Sequence, residues 1–353
     1  MAPLRVLVVD DAVTVRRLVR DAFAGDPQLE VAGEARTGRE ALDRIGVLRP
    51  DAVVLDLEMP VMNGLDTLVA LRRDHPRLPV IVFSAATRHG ASATIEALWL
   101  GANDCVAKTS TGGTRAAIRL IRSELAPRIK ALCARARPAA PAAIEPARRV
   151  RPRPPEPVEL IAIGASTGGP AAVAVLLGQL PAECAPVLVV QHMPAAFTAF
   201  LAEGLGRRTE LNVREARDGV EPAPGRVYLA PGDVHMTVER NRGRVRIRLV
   251  SGPREHACRP ALDALLRGVA KAYGARALAV VLTGMGRDGL DGCARLRDAG
   301  GRVLVQDEAS SIVWGMPGVV WRAGHADAAL PPAELAHEIR RRLLDGGRRS
   351  AAA

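Results

Sequence analysis

Twice along the chain, short unbroken runs of valine, isoleucine, leucine and alanine alternate with amphipathic stretches, and a proline-rich tract separates the two series. The first series runs Leu4 to Val9, Val13 to Phe23, Ala52 to Leu55, Leu65 to Arg73 and Val80 to Phe83. Apolar runs without polar alternation suit strands covered on both faces, hence a parallel sheet between helices. Right-handed crossovers then give a doubly wound α/β domain.

An amphipathic segment, Arg115 to Leu132, leads into a stretch rich in proline, alanine and arginine that ends near Pro157. Proline removes backbone donors and favours extended chain, so this tract reads as a semi-stiff spacer, with a proline-rich ligand as the other reading. The second series begins with Leu160 to Ile163, a glycine-rich turn, Ala171 to Leu180 and Pro186 to Val190. Further strands are expected at Arg226 to Ala230, Arg244 to Leu249, Ala277 to Leu282 and Arg302 to Gln306, with helices after Pro260 and Asp288. Turns at Gly225, Gly232 and Gly243 suggest a hairpin excursion, which leaves room for a mixed sheet. The expected organisation is a first domain over residues 1–124, a helical extension and linker over 125–157, a second domain over 158–346 and a disordered tail over 347–353.

A chain of 353 residues exceeds one ordinary core, in keeping with two domains. The net charge of +11 raises nucleic acid as a partner, but aromatic residues make up 3% of the chain and no recognition motif is present. Much of the excess is arginine between positions 135 and 153 and at Arg340 to Arg342, which a solvated linker and a solvated helix face explain. No nucleic-acid partner is expected, and a membrane only indirectly. The five cysteines are scattered and odd in number, with no CxxC spacing, so neither a disulfide framework nor a zinc site is indicated. With no signal-peptide pattern and no apolar run of membrane-span length, a cytoplasmic setting is expected.

In a doubly wound sheet, ligands sit beyond the carboxyl ends of the strands, where Asp10, Asp11 and Asp56 fall. Carboxylates so placed repel unless a cation neutralises them, which implies a hard, oxygen-preferring ion such as Mg2+. Ser84 and Lys108 end later strands and bring a hydroxyl and a cation to the same edge. Single aspartates at strand ends are commonly helix caps, but the whole set goes beyond capping.

In the second series, Gly164-Ala165-Ser166-Thr167-Gly168 lies between a strand and a helix, the context that makes G-x-S-x-G a nucleophile turn. His192 follows the Val187 to Val190 strand as a candidate base, and Asp288 follows Ala279 to Leu282 as its orienting carboxylate. The order Ser, His, Asp differs from that of a standard α/β-hydrolase and argues against that fold. The competing reading of the glycine turn is a dinucleotide phosphate loop, but full GxGxxG spacing and an acidic ribose-binding residue are missing. His235, His256 and His325 can approach the site without an assigned role, and Cys258 reads as a small buried side chain.

Residues 6–11, 53–66, 83–85 and 107–108 resemble response-regulator receiver domains, of flavodoxin-like fold. That resemblance implies that Asp56 accepts phosphate, that Asp10, Asp11, Asp56 and the backbone of Glu58 hold Mg2+, and that Ser84 and Lys108 read the aspartyl phosphate. Thr109 stands where a proline usually follows the lysine, and Cys105 takes the usual aromatic switch position. Residues 163–170, 191–194, 228–236, 283–289 and 306–318 resemble the chemotaxis protein-glutamate methylesterases, which carry receiver, linker and catalytic domain in this order. The second domain is therefore expected to be Rossmann-like, mostly parallel with a β-hairpin. The resemblance implies hydrolysis of glutamate γ-methyl esters on methyl-accepting chemotaxis receptors, deamidation of receptor glutamines, and a histidine kinase as phosphodonor. It also implies the Met285 amide at the oxyanion and Thr167 steadying the histidine, with no cofactor for ester hydrolysis. The alternative from another class is a response regulator whose second domain only binds a partner or a nucleotide.

Overall fold

The structure is a computed structural model that describes residues 2–85, 87–108, 112–136 and 156–350. The chain forms two compact units, residues 1–141 and 142–353. Thr109 and the proline-rich tract over 137–155 lie outside the described residues, as do 351–353.

The first unit alternates β1 (Leu4–Val9), α1 (Val13–Phe23), β2 (Leu29–Ala35), α2 (Gly38–Leu48), β3 (Ala52–Leu55), α3 (Gly64–Asp74), β4 (Val80–Ala85), α4 (Arg88–Trp99) and β5 (Asp104–Lys108). Its strands lie in the order β2-β1-β3-β4-β5, all parallel, the flavodoxin-like arrangement. Helix starts follow local chemistry: Thr37, Asn63 and Thr87 accept hydrogen bonds from the third amide onward, those of Glu40, Asp66 and Gly90. After α5 (Gly113–Leu120) and a π-helical turn over Ile121–Leu125 comes α6 (Ala126–Ala136). Leu125 and Ile129 are fully buried and Lys130 pairs with Asp26 at 2.5 Å, so the segment after residue 124 belongs to the body of this unit.

The second unit contains β6 (Leu160–Ala165), α7 (Gly169–Leu177), β7 (Val187–Gln191), α8 (Ala195–Gly206), β8 (Asn212–Glu215), β9 (Arg226–Leu229), β10 (His235–Asn241) and β11 (Arg244–Val250). It continues through α9 (Leu262–Tyr273), β12 (Ala277–Val281), α10 (Leu290–Asp298), β13 (Arg302–Gln306), α11 (Met316–Arg322), β14 (Ala328–Leu330) and α12 (Pro332–Ser350). Seven strands pair in parallel in the order β14-β13-β12-β6-β7-β9-β8. Every residue of β6, β7 and β12 is buried, as runs without polar alternation require. Full burial of Tyr228 and Phe197 beside them stabilises the core by roughly 2 to 3 kcal/mol each.

The hairpin does not enter this sheet. β10 and β11 pair antiparallel as a separate two-stranded sheet, so the main sheet is parallel throughout its described strands. β10 instead lies against α9, so closely that a Cβ on Gly268 would sit 2.8 Å from the Val238 carbonyl. Arg342 also departs from expectation: it is buried and bonds Glu338 and Asp327, whereas Arg340 and Arg341 are exposed. Helix α12 runs through residues 347–350, expected as tail. No helix among the described residues is long and apolar enough to cross a membrane.

Candidate active site and candidate phosphorylation site

From β6 the chain steps outward through β7 to β9 and later returns to the other side of β6 as β12, so the sheet has its switch point there. Such a point opens a crevice beyond the strand carboxyl ends. Ser166 follows β6, His192 follows β7 and the Thr283 to Asp288 loop follows β12. Pairing of Ala165 with Gln191 sets Ser166 and His192 next in register on adjacent strands.

The Ser166 turn is fixed from several sides. Its amide donates to the Thr283 carbonyl at 3.0 Å, and its carbonyl accepts from Gly169 N and Gln191 Nε2, both at 2.8 Å. Thr283 Oγ1 donates to the Thr167 carbonyl at 2.9 Å and accepts from the Val313 amide at 2.9 Å. Gly168, at φ 76°, has the left-handed backbone that starts α7, and a Cβ there would lie 2.6 Å from Ile312. A Cβ on Gly284 would lie 2.8 Å from that of Ser166, so the Thr283 to Asp288 loop sits directly against the serine. The neighbouring Met285 amide has no hydrogen-bond partner among the described residues.

His192 is bonded through Nε2 to Asp288 Oδ2 at 2.7 Å. Its other ring nitrogen, Nδ1, lies 3.4 Å from Cys258 Sγ, and among the described residues no hydrogen bond joins the ring to Ser166. Burial alone would lower the imidazole pKa; the bonds and charges of Asp288 and Cys258 outweigh it and push it up to about 10. Asp288 accepts from the amides of Leu262 at 2.6 Å and Asp263 at 2.9 Å, at the start of α9. Burial would raise this carboxyl, but His192 and the two amides hold it below the usual carboxylate range.

Three contributors escaped the sequence reading. The α9 amides are one, with Pro260 and an acidic first turn as the signal that a helix starts there. Asp263 is the second. Cys258 is the third: expected as a small buried side chain, it is partly exposed and touches the histidine ring. His235 is occupied elsewhere, between the Pro253 carbonyl and the Ala261 amide.

In the first unit, Asp10 follows β1, Asp56 follows β3 and Lys108 ends β5. Lys108 Nζ lies 2.8 Å from Oδ2 of both Asp10 and Asp56. Carboxylate oxygens of Asp10, Asp11 and Asp56 all lie within 4.8 Å of one another, a hard-donor cluster that fits a divalent cation. Burial chiefly raises the Asp10 carboxyl, with Asp56 adding to it and Lys108 opposing. The two carboxylates raise Lys108 although burial acts against them. The Ser84 hydroxyl is buried and has no hydrogen-bond partner among the described residues, while Glu58 is exposed just beyond Asp56. Cys105 is buried on β5, and burial raises its thiol.

A flavodoxin-like acidic site followed by a parallel-sheet unit with a serine turn and a bonded His–Asp pair defines a response regulator that carries a hydrolase. The family described as CheB methylesterase matches residues 161–339, and the response regulator receiver domain matches residues 6–117. The chain belongs to the protein-glutamate methylesterase/protein-glutamine glutaminase family and is an enzyme. A relative of that name from Trichodesmium erythraeum is 44% identical, over 97% of this chain and all of its own length. Another, from Nocardioides sp., is 45% identical over 97% of this chain and 96% of its own. The crystal structure of the Thermotoga maritima CheB methylesterase catalytic domain is similar at 40% identity with a TM-score of 0.51, covering 52% of this chain and 97% of that one. The reading of the second unit as a non-catalytic binding module gives way to these matches.

Proposed function

We propose that the chain hydrolyses glutamate γ-methyl esters on methyl-accepting chemotaxis receptors and deamidates receptor glutamines, with Ser166, His192 and Asp288 as the triad. The observation that carries this reading is the 2.7 Å His192–Asp288 bond at the strand edge that also bears Ser166. The Ser166 hydroxyl attacks the ester carbonyl as its proton passes to His192, and Asp288 orients the imidazole. The Met285 amide donates to the oxyanion, and Thr167 steadies the histidine. His192 then protonates the leaving methoxide, giving methanol, and water activated by the same ring frees glutamate from Ser166. With glutamine the leaving group is ammonia.

The receiver sets the rate of this reaction. Asp56 takes a phosphoryl group from a histidine kinase, Ser84 donates its hydroxyl to a phosphoryl oxygen and Lys108 pairs with another. Asp10, Asp11, Asp56 and the Glu58 carbonyl would hold Mg2+, which would supply charge neutralisation for the incoming phosphoryl group. The relatives' names and the receiver match support both halves.

The test is methanol release from methylated receptors. Ser166→Ala should lower it by far more than about a thousandfold. Acetyl phosphate with Mg2+ should raise wild-type release and leave Asp56→Asn unchanged. Wild-type release by the serine variant, or equal stimulation of the aspartate variant, contradicts the corresponding half.

A further inference from the structure

Cys258 is the last residue of a four-residue turn in which Glu255 N donates to the Cys258 carbonyl at 3.0 Å and Cys258 N to the Glu255 carbonyl at 2.7 Å. The two residues inside it, His256 and Ala257, both adopt left-handed backbone, at φ 50° and 63°. Neither is glycine, so each costs on the order of 1 kcal/mol and persists only where the surroundings enforce it. They do so here through α9: Arg267 holds Glu255 by two bonds of 2.8 and 2.5 Å, and Asp263 holds His256 Nε2 at 2.9 Å. The strained turn delivers the Cys258 sulfur to Nδ1 of His192. The same helix start supplies the amides that hold Asp288 against Nε2. Both nitrogens of one imidazole are thus fixed from α9.

We propose that Cys258 is a positioning residue for the hydrolysis. Its sulfur is the second anchor of His192 in the resting enzyme and yields Nδ1 to the Ser166 hydroxyl when substrate is bound. The inference rests on the triad reading above. With Asp288 on Nε2, Nδ1 is the nitrogen left to take the serine proton, and it faces sulfur rather than Ser166. In the imidazolium form both N–H groups are used, Nε2 donating to Asp288 and Nδ1 to Cys258. The groups facing the ring are Asp288 and Cys258; around them stand Asp263 with His256, and Glu255 with Arg267.

The test is kcat and KM for methanol release by the full chain across pH, for wild type, Cys258→Ser and Cys258→Ala. The kcat/KM limb on which His192 of the free enzyme loses its proton should move about one pH unit downward in the alanine variant, with serine between. The plateau kcat should fall about fivefold in the alanine variant with KM little changed. Superimposable limbs in all three proteins overturn the proposal. Should the alanine variant not fold, methyl methanethiosulfonate tests the wild type, because the other four cysteines are buried. The Cys258 sulfur displaces methanesulfinate to form a methyl disulfide, its proton going to solvent. Release should fall at least tenfold and return with dithiothreitol; unchanged release at one modification per chain contradicts the role. Ser166→Ala separates the two readings: if it retains wild-type release the triad reading fails, whereas its inactivity with superimposable Cys258 profiles sinks this proposal alone.

Discussion

The backbone amide of Leu262 lies 2.6 Å from Asp288 Oδ2, so the oxygen that faces His192 is also gripped by the N-terminus of α9. A helix start favours negative charge, and the two amides engage both oxygens of this carboxylate. Asp288→Asn puts an amide group where two acceptors are needed. It should cost roughly 1 to 2 kcal/mol of stability by urea unfolding. Methanol release should drop by about a thousandfold or more, because the amide selects the wrong imidazole tautomer. Release within a few-fold of wild type would remove Asp288 from the proposed triad.

Asp263 returns the favour to the other helix. Its amide holds Asp288 Oδ1, and its own Oδ1 accepts from Gly292 at 2.6 Å in the first turn of α10, the helix that follows Asp288. Asp263→Ala leaves the buried Gly292 amide unpaired, with an expected loss of about 2 kcal/mol. Asp263→Asn keeps one acceptor and should lose less. An Asp263→Ala midpoint equal to that of wild type would show that this cap carries no weight.

The raised imidazole of His192 has a definite sign. Its proton is bound more tightly in the folded chain than the ordinary value of about 6.5, so the base form appears only as pH rises through the folded value of about 10. Methanol release should therefore keep climbing above neutrality rather than level off near pH 7. The stabilisation belonging to this proton is fully present below about pH 6.5 and is lost through the folded value. A wild-type minus His192→Gln stability difference that is the same at pH 6 and pH 10 would contradict this.

In the receiver, Lys108 is the shared counter-ion of two buried carboxylates. Lys108→Met leaves both uncompensated and should cost about 2 to 3 kcal/mol in chelator, part of which Mg2+ restores. Acetyl phosphate should no longer stimulate methanol release. Equal unfolding curves with and without Mg2+ would count against an ion-binding cluster.

The parallel sheets were legible because strands covered on both faces carry continuous apolar runs, as in β6 and β12. The hairpin was legible as a hairpin, but not its exclusion from the main sheet, which depends on its packing against α9 through Gly268. Strand-end position brought Ser166, His192 and Asp288 to one edge on paper, and the strands place them there. Contacts made by loops were not legible. Cys258 meets His192 across 66 residues of sequence through a left-handed turn that no local pattern announces. Arg342 looked solvated beside Arg340 and Arg341, yet the helix turns it onto Glu338 and Asp327.

The proposed hydrolysis stands or falls on Ser166 as the nucleophile. Its most direct test is mass spectrometry of the full chain inactivated with a fluorophosphonate, with methanol release followed in parallel. One adduct is expected, on Ser166, growing in step with the loss of release and absent from Ser166→Ala. An adduct on another residue, or full release by a chain labelled at Ser166, would contradict it.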